Sequence, residues 1–139
     1  MNLIDVMKRS AEQAPNKTFL KYGRDKMTFR QFHDNALKLA GGLRELGLKK
    51  GDRVAMLLNN SMEFIVSYFA VLSAGAEIVP LNTFLRQEEI IYILNDSRAR
   101  IFITSADFKE QLKDFNANKA AALEHIICAC VPWDKNYLS

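Results

Sequence analysis

Cysteine is scarce: Cys128 and Cys130 are the only two in 139 residues. Two cannot build a disulfide framework, and their C-x-C spacing is not the C-x-x-C of redox and zinc motifs. The reading is a pair of small core residues on one face of a strand, in a reduced compartment. Three prolines and six glycines are too few for a collagenous or linker-like chain. The two histidines, His33 and His125, have no cysteine or carboxylate at metal-ligand spacing, so no metal site is expected. Neither sign of charge dominates. Nineteen Lys+Arg against sixteen Asp+Glu leave 19 − 16 = +3, and the charges are interspersed, which speaks against nucleic-acid binding. Long apolar runs are missing too. The longest uncharged stretch, Phe64–Ala76, has 13 residues between Glu63 and Glu77, against the ~20 that cross a bilayer. The N-terminal stretch carries Asp5, Lys8, Arg9 and Glu12 and lacks the apolar core of a signal peptide. The expectation is one cytoplasmic domain spanning 1–139, large enough to bury about two-thirds of its unfolded surface.

What is present is regular punctuation. Leu3, Val6, Met7 and Ala11 fall on one side of a helix from Leu3 to Ala14, stopped by Pro15. Thr18–Tyr22 and Lys26–Phe29 form two short runs around Gly23–Asp25 and predict a small hairpin. Thr28 and Gln31 make a T-x-x-Q capping box for a helix whose apolar face is Phe32, Ala36, Leu39, Ala40, Leu43 and Leu46, with Gly47 as its stop. After the turn Lys50-Gly51-Asp52, Arg53–Leu58 suits a buried strand. Asn60 with Glu63 caps a second helix to Ala74, ended by Gly75. Ala76–Leu81 is a strand halted by Pro80, and Arg86–Asn95 a helix with Glu88 and Glu89 in its first turn. Ile101–Thr104 is a strand, Ser105 caps a helix carrying Phe108, Leu112 and Phe115, and Ile126–Val131 is the closing strand. Strands alternating with helices predict a three-layer α/β/α fold with a mostly parallel sheet, preceded by a small hairpin.

Catalytic constellations are absent from this order. Neither G-x-x-x-x-G-K-[ST] nor G-x-G-x-x-G occurs, and Gly41-Gly42 sits inside a helical pattern, where close helix packing explains it better than phosphate binding. Lys49-Lys50-Gly51-Asp52-Arg53 is basic but reads as a solvated turn. Glu88 and Glu89 are helix neighbours facing different ways and form no acid/base dyad. No catalytic and no metal-binding residue is assigned.

The order of the pieces is nonetheless specific. Met27-Thr28-Phe29-Arg30-Gln31-Phe32 resembles the T-Y-x-E-L element of adenylate-forming (AMP-binding) enzymes, the superfamily of acyl-CoA synthetases, luciferases and peptide-synthetase adenylation domains. Lys50-Gly51-Asp52-Arg53-Val54-Ala55 is similar to its K-G-D-R-V-A turn and strand. Asn60-Ser61-Met62-Glu63-Phe64 is similar to its N-S-x-E-F helix start. Leu72-Ser73-Ala74-Gly75-Ala76 with Val79-Pro80-Leu81-Asn82 resembles L-x-A-G-A…V-P-L-N, and Glu89 to Asp96 resembles the next helix. The likeness runs from about residue 3 to 131.

The resemblance implies the N-terminal piece of a fatty-acid–CoA ligase or related acyl-CoA synthetase. The whole enzyme would use Mg·ATP to adenylate a carboxylic acid and then transfer the acyl group to CoA. The family's phosphate loop, its ribose-binding Asp and its mobile C-terminal Lys have no counterpart here, so the chain alone is expected to be inactive and to hold no cofactor. Some members place a basic residue after P-L-N near the CoA phosphates. Arg86 is the candidate in that region, against the plainer reading of a solvated helix start. A stand-alone protein- or CoA-binding module is the competing reading, and an unrelated flavodoxin-like domain a third. Surfaces that later sequence would cover suggest a self-associating homodimer.

Overall fold

The computed structural model describes residues 2–129. Helix α1 (Leu3–Gln13) is closed at its start by a reciprocal box, with Asn2 Oδ1 accepting from the Asp5 amide at 2.9 Å. Of its expected stripe, Met7 and Ala11 are buried, but Leu3 and Val6 stay exposed because only one edge of the helix meets α2. Strands β1 (Thr18–Tyr22) and β2 (Asp25–Thr28) form the antiparallel hairpin, with Tyr22 opposite Asp25 across a two-residue turn that begins at Gly23, φ +57°.

Helix α2 (Phe29–Glu45) starts at the expected box: Thr28 Oγ1 accepts from the Gln31 amide at 3.1 Å and Gln31 Oε1 from the Thr28 amide at 2.9 Å. Its face of Phe32, Ala36, Leu39, Ala40 and Leu43 is buried as the spacing required. At Gly41 an added Cβ would meet nothing within 4 Å, so close packing does not account for that glycine.

Four parallel strands follow: β3 (Arg53–Met56), β4 (Glu77–Pro80), β5 (Ile101–Thr104) and β6 (His125–Cys128). Their spatial order is β4-β3-β5-β6. Helix α3 (Met62–Ser73) joins β3 to β4, and α4 (Gln87–Ser97) joins β4 to β5. The chain steps one way from β3 to β4 and the other way from β4 to β5. Right-handed crossovers therefore place α3 and α4 on opposite faces of the sheet. Val54, Met56, Ile101, Ile103 and Ile127 pack on the first face with α1, α2 and α3, while Ala55, Leu57 and Phe102 pack on the second with α4. These are the three expected layers. On the first face Phe19, Phe29, Phe32 and Phe69 form a ladder of rings with centroids 4.8 to 5.0 Å apart. Such pairs contribute about 0.5–1.5 kcal/mol each beyond their buried area.

Gly75 ends α3 with φ +80°, and its carbonyl accepts from the Gly51 amide at 2.9 Å while a Cβ there would press on Lys50 at 3.3 Å. The tight return from helix to sheet thus depends on glycine. Pro80 lies in β4, an edge strand, as a residue without an amide donor must.

Four expectations need correction. Ser61, not Asn60, is the N-cap of α3: its Oγ accepts from the Phe64 amide at 3.1 Å, the reach of a side chain three residues ahead of the donor. The helix expected after Ser105 is a single 3₁₀ turn, Ala106–Phe108, followed by turns. Asp114 takes a left-handed backbone, φ 62°, that no helix propagates through, and the Gln111 side chain donates to the Leu85 carbonyl instead. Phe108, Leu112 and Phe115 still reach the second face. The closing strand ends at Cys128, and Cys130 and Val131 lie outside the described residues. Cys128 is half-buried and disulfide-bonded, not the free core thiol that the spacing suggested. An edge-strand sulfur remains accessible to oxidation where a core one does not.

Candidate functional site

In an open parallel sheet, ligands enter beyond the carboxyl ends of the strands, at the point where the strand order reverses. Here that point lies between β3 and β5. The loops that meet there are Asn59-Asn60-Ser61 and Ser105-Ala106-Asp107. Asn59 Nδ2 donates to Asp107 Oδ2 at 3.3 Å, Ser105 Oγ donates to the same oxygen at 3.3 Å, and Ser61 Oγ donates to the Asn59 carbonyl at 3.0 Å. Thr104, the last residue of β5, is buried, and its Oγ1 has no hydrogen-bond partner among the described residues. Beyond β4, Asn82 Oδ1 accepts from the Phe84 amide at 2.9 Å, which turns the chain toward α4 and leaves the Phe84 ring 90% exposed.

Arg86 is the N-cap residue of α4. Its amide donates to Glu89 Oε1 at 3.1 Å, and its guanidinium Nε lies 3.5 Å from the same oxygen. The side chain is 84% exposed. It is therefore a solvent-facing cation at the carboxyl end of the sheet with a carboxylate beside it. The Lys49–Asp52 segment is the turn that the sequence suggests. His33 lies on α2 with Nδ1 3.8 Å from Asp34, and His125 opens β6. Among the described residues, no group of three or more His, Cys, Asp or Glu is arranged to hold a metal ion.

The charged network sits at the opposite, amino end of the strands. Arg100 Nη1 donates to Asp52 Oδ2 at 2.6 Å and to the Gly47 carbonyl at 3.1 Å, and Nη2 donates to Glu124 Oε2 at 2.5 Å. Arg53 adds donations to the Ser97 and Gly51 carbonyls at 2.7 and 2.9 Å. Burial alone would raise the Asp52 pKa, but the Lys49 amide and the Arg100 guanidinium outweigh it and hold the carboxyl below its ordinary value. Arg100 is raised in turn, by its bonds to Glu124 and Asp52. This network fastens the loops before β3, β5 and β6 together. The sequence gives no sign of it, since Arg100 reaches partners 48 and 24 positions away. The Asn59–Asp107 contact was missed for the same reason, although the S-x-D of Ser105 and Asp107 is a local capping signal.

Comparison with known proteins agrees with this architecture. The family described as AMP-binding enzyme matches residues 7–137. A 2-succinylbenzoate–CoA ligase of Bacillus licheniformis is 35% identical over 126 residues, covering 91% of this chain and 26% of the relative. A long-chain-fatty-acid–CoA ligase of Bacillus subtilis is 38% identical over 102 residues, 73% of this chain and 18% of the relative. The crystal structure of the anthranilate CoA ligase AuaEII with anthranoyl-AMP superposes with a TM-score of 0.86 at 32% identity, covering 96% of this chain and 26% of that one. The chain thus spans about a quarter or less of the relatives that it matches. The family model, which matches nearly the whole chain, makes it a member of the AMP-binding enzyme family.

Proposed function

We propose that this chain is the N-terminal segment of a carboxylic acid–CoA ligase. The whole enzyme would adenylate an acid with Mg·ATP and pass the acyl group to CoA, with a fatty acid as the first substrate class to test. The observation that carries this reading is the likeness along nearly the whole chain to the ligases named above. The Bacillus subtilis relative supports the fatty-acid class, while the names of the other two point to aryl acids.

The chain's own part is that of a scaffold. Its residues do not fit the phosphates of ATP or a magnesium ion: the sequence has no glycine-rich phosphate loop, and no carboxylate cluster for a cation occurs among the described residues. No step through ATP is assigned to it. Arg86 is proposed as a contact for the CoA phosphates, because it is exposed and follows Pro80-Leu81-Asn82 at the carboxyl end of the sheet. Binding there would draw the guanidinium away from Glu89.

Two measurements test the reading. The chain alone, given ATP, Mg²⁺ and palmitate, 2-succinylbenzoate or anthranilate, should release no pyrophosphate above a protein-free blank. A chimera in which this chain replaces the matching part of the Bacillus subtilis ligase should make acyl-CoA. Turnover by the chain alone, or a folded but inactive chimera, would overturn the scaffold role. In that chimera, Arg86→Ala should raise the KM for CoA several-fold with kcat unchanged. An unchanged KM removes Arg86 from the CoA site.

A further inference from the structure

Two side-chain bonds from separate parts of the chain meet on either side of Arg86. Gln111 Nε2 donates to the Leu85 carbonyl, and Gln87 Nε2 donates to the Lys113 carbonyl. Segments 85–87 and 111–113 thus exchange one bond in each direction, each across 26 positions of sequence. Both glutamines are half-buried, and Leu85 and Leu112 both pack against the core of the second face.

These bonds act on the backbone of Arg86 and not on its side chain. The peptide group that enters Arg86 is held at both ends. Its carbonyl, that of Leu85, accepts from Gln111, and its N–H donates to Glu89 Oε1 at 3.1 Å. On the far side the Arg86 carbonyl accepts from the Ile90 amide at 3.0 Å. The guanidinium itself is loosely held: the side chain is 84% exposed, and its ion pair with Glu89 spans 3.5 Å. Exposed pairs of this kind contribute little. The position of the cation therefore depends on how firmly its backbone is fixed.

We infer that Gln87 and Gln111 are positioning residues for Arg86, pinning the start of α4 to the 111–113 turn so that the guanidinium meets a CoA phosphate from a preset backbone. The inference rests on the reading of Arg86 as a contact for the CoA phosphates. A cation presented by a fixed backbone loses less freedom on binding, so the effect falls on affinity for CoA and not on acyl transfer. Asn95 supplies a control. It ties α4 to the same cover through the Lys119 carbonyl and the Ala121 amide, but from the last turn of the helix, away from Arg86.

Steady-state kinetics of the Bacillus subtilis chimera, with CoA varied, test this. Gln87→Ala and Gln111→Ala should each raise the KM for CoA several-fold and leave kcat and the KM for ATP unchanged. Asn95→Ala should leave the KM for CoA unchanged. Added to Arg86→Ala, neither glutamine substitution should raise that KM further, because a residue that acts through Arg86 then has nothing to position. Hydrogen exchange at the Arg86 amide of the chimera should quicken in both glutamine variants at unchanged circular dichroism. Where an alanine variant fails to fold, the asparagine variant, one methylene too short for the bond, takes its place. If the folded chimera makes no acyl-CoA, or Arg86→Ala leaves the KM unchanged, the reading of Arg86 falls and takes this inference with it. If Arg86→Ala raises the KM while the folded glutamine variants do not, the inference alone is overturned. Additive increases, an equal rise from Asn95→Ala, or unchanged exchange at Arg86 overturn it as well.

Discussion

One face of the sheet lies under α1, α2, α3 and the hairpin, whereas the other lies under α4 and a run of turns from 106 to 124. The first cover is built from helices with side-chain caps and a ladder of phenylalanine rings. The second depends on isolated hydrogen bonds. Asn95 Nδ2 donates to the Lys119 carbonyl at 2.8 Å, Asn95 Oδ1 accepts from the Ala121 amide at 3.1 Å, and Gln87 Nε2 donates to the Lys113 carbonyl. Both faces bury apolar side chains. The difference teaches that burial alone does not require long regular structure: Phe108, Leu112 and Phe115 reach the second face without an α-helix to carry them. A cover of this kind has little cooperative backbone bonding to resist local opening.

Breaking each cover should reveal the asymmetry. The largest effect is expected from Leu43→Ala, fully buried under the first face, at about 2–4 kcal/mol of unfolding free energy in urea titration. Leu112→Ala, half-buried over the second face, should cost about 1–2 kcal/mol, since less surface leaves water and the turns can close the gap. Equal losses would mean that the two covers are equally consolidated. Thr28→Ala removes the cap of α2 and should cost about 1 kcal/mol. Hydrogen exchange of that variant should stay slower in α2 than in the 106–124 segment, and the reverse order would refute the comparison.

The smallest effect concerns acid. The Asp52 pKa is lowered in the folded chain from an ordinary value of 3.8. Its contribution to stability is therefore present above that unfolded value and lost as pH falls through the lower folded one. Asp52→Asn should flatten the acid limb of a stability–pH curve below about pH 4 while leaving the neutral region nearly parallel. An unchanged acid limb would show that the Arg100 network does not fasten the amino end of the sheet.

Much of the first face was legible in the sequence. The Thr28–Gln31 box, the α2 stripe, the hairpin and the β5 limits appear where spacing placed them. The Ile90–Leu94 run, an unbroken apolar stretch that could pass for a strand, is helical as read, with Ile90 and Leu94 inward and Tyr92 out in solvent. The second face was read less well. Phe108, Leu112 and Phe115 have helical spacing, but spacing reports only which residues want burial. It does not report whether a left-handed Asp114 or a Gln111 bonded to Leu85 will interrupt the backbone. At the candidate site, the Arg86 position was legible from Pro80-Leu81-Asn82, while its Glu89 partner followed from an (i, i+3) relation that was not used.

The sequence by itself determined the helices, their caps and the family, because those depend on residues within about four positions of one another and on motifs in fixed order. Only the tertiary structure decided that β3 lies between β4 and β5 and that Arg100 bridges Asp52 and Glu124. These follow from crossover handedness and from burying two faces of one sheet at once. Both are properties of the assembled chain, and no local window of sequence contains them.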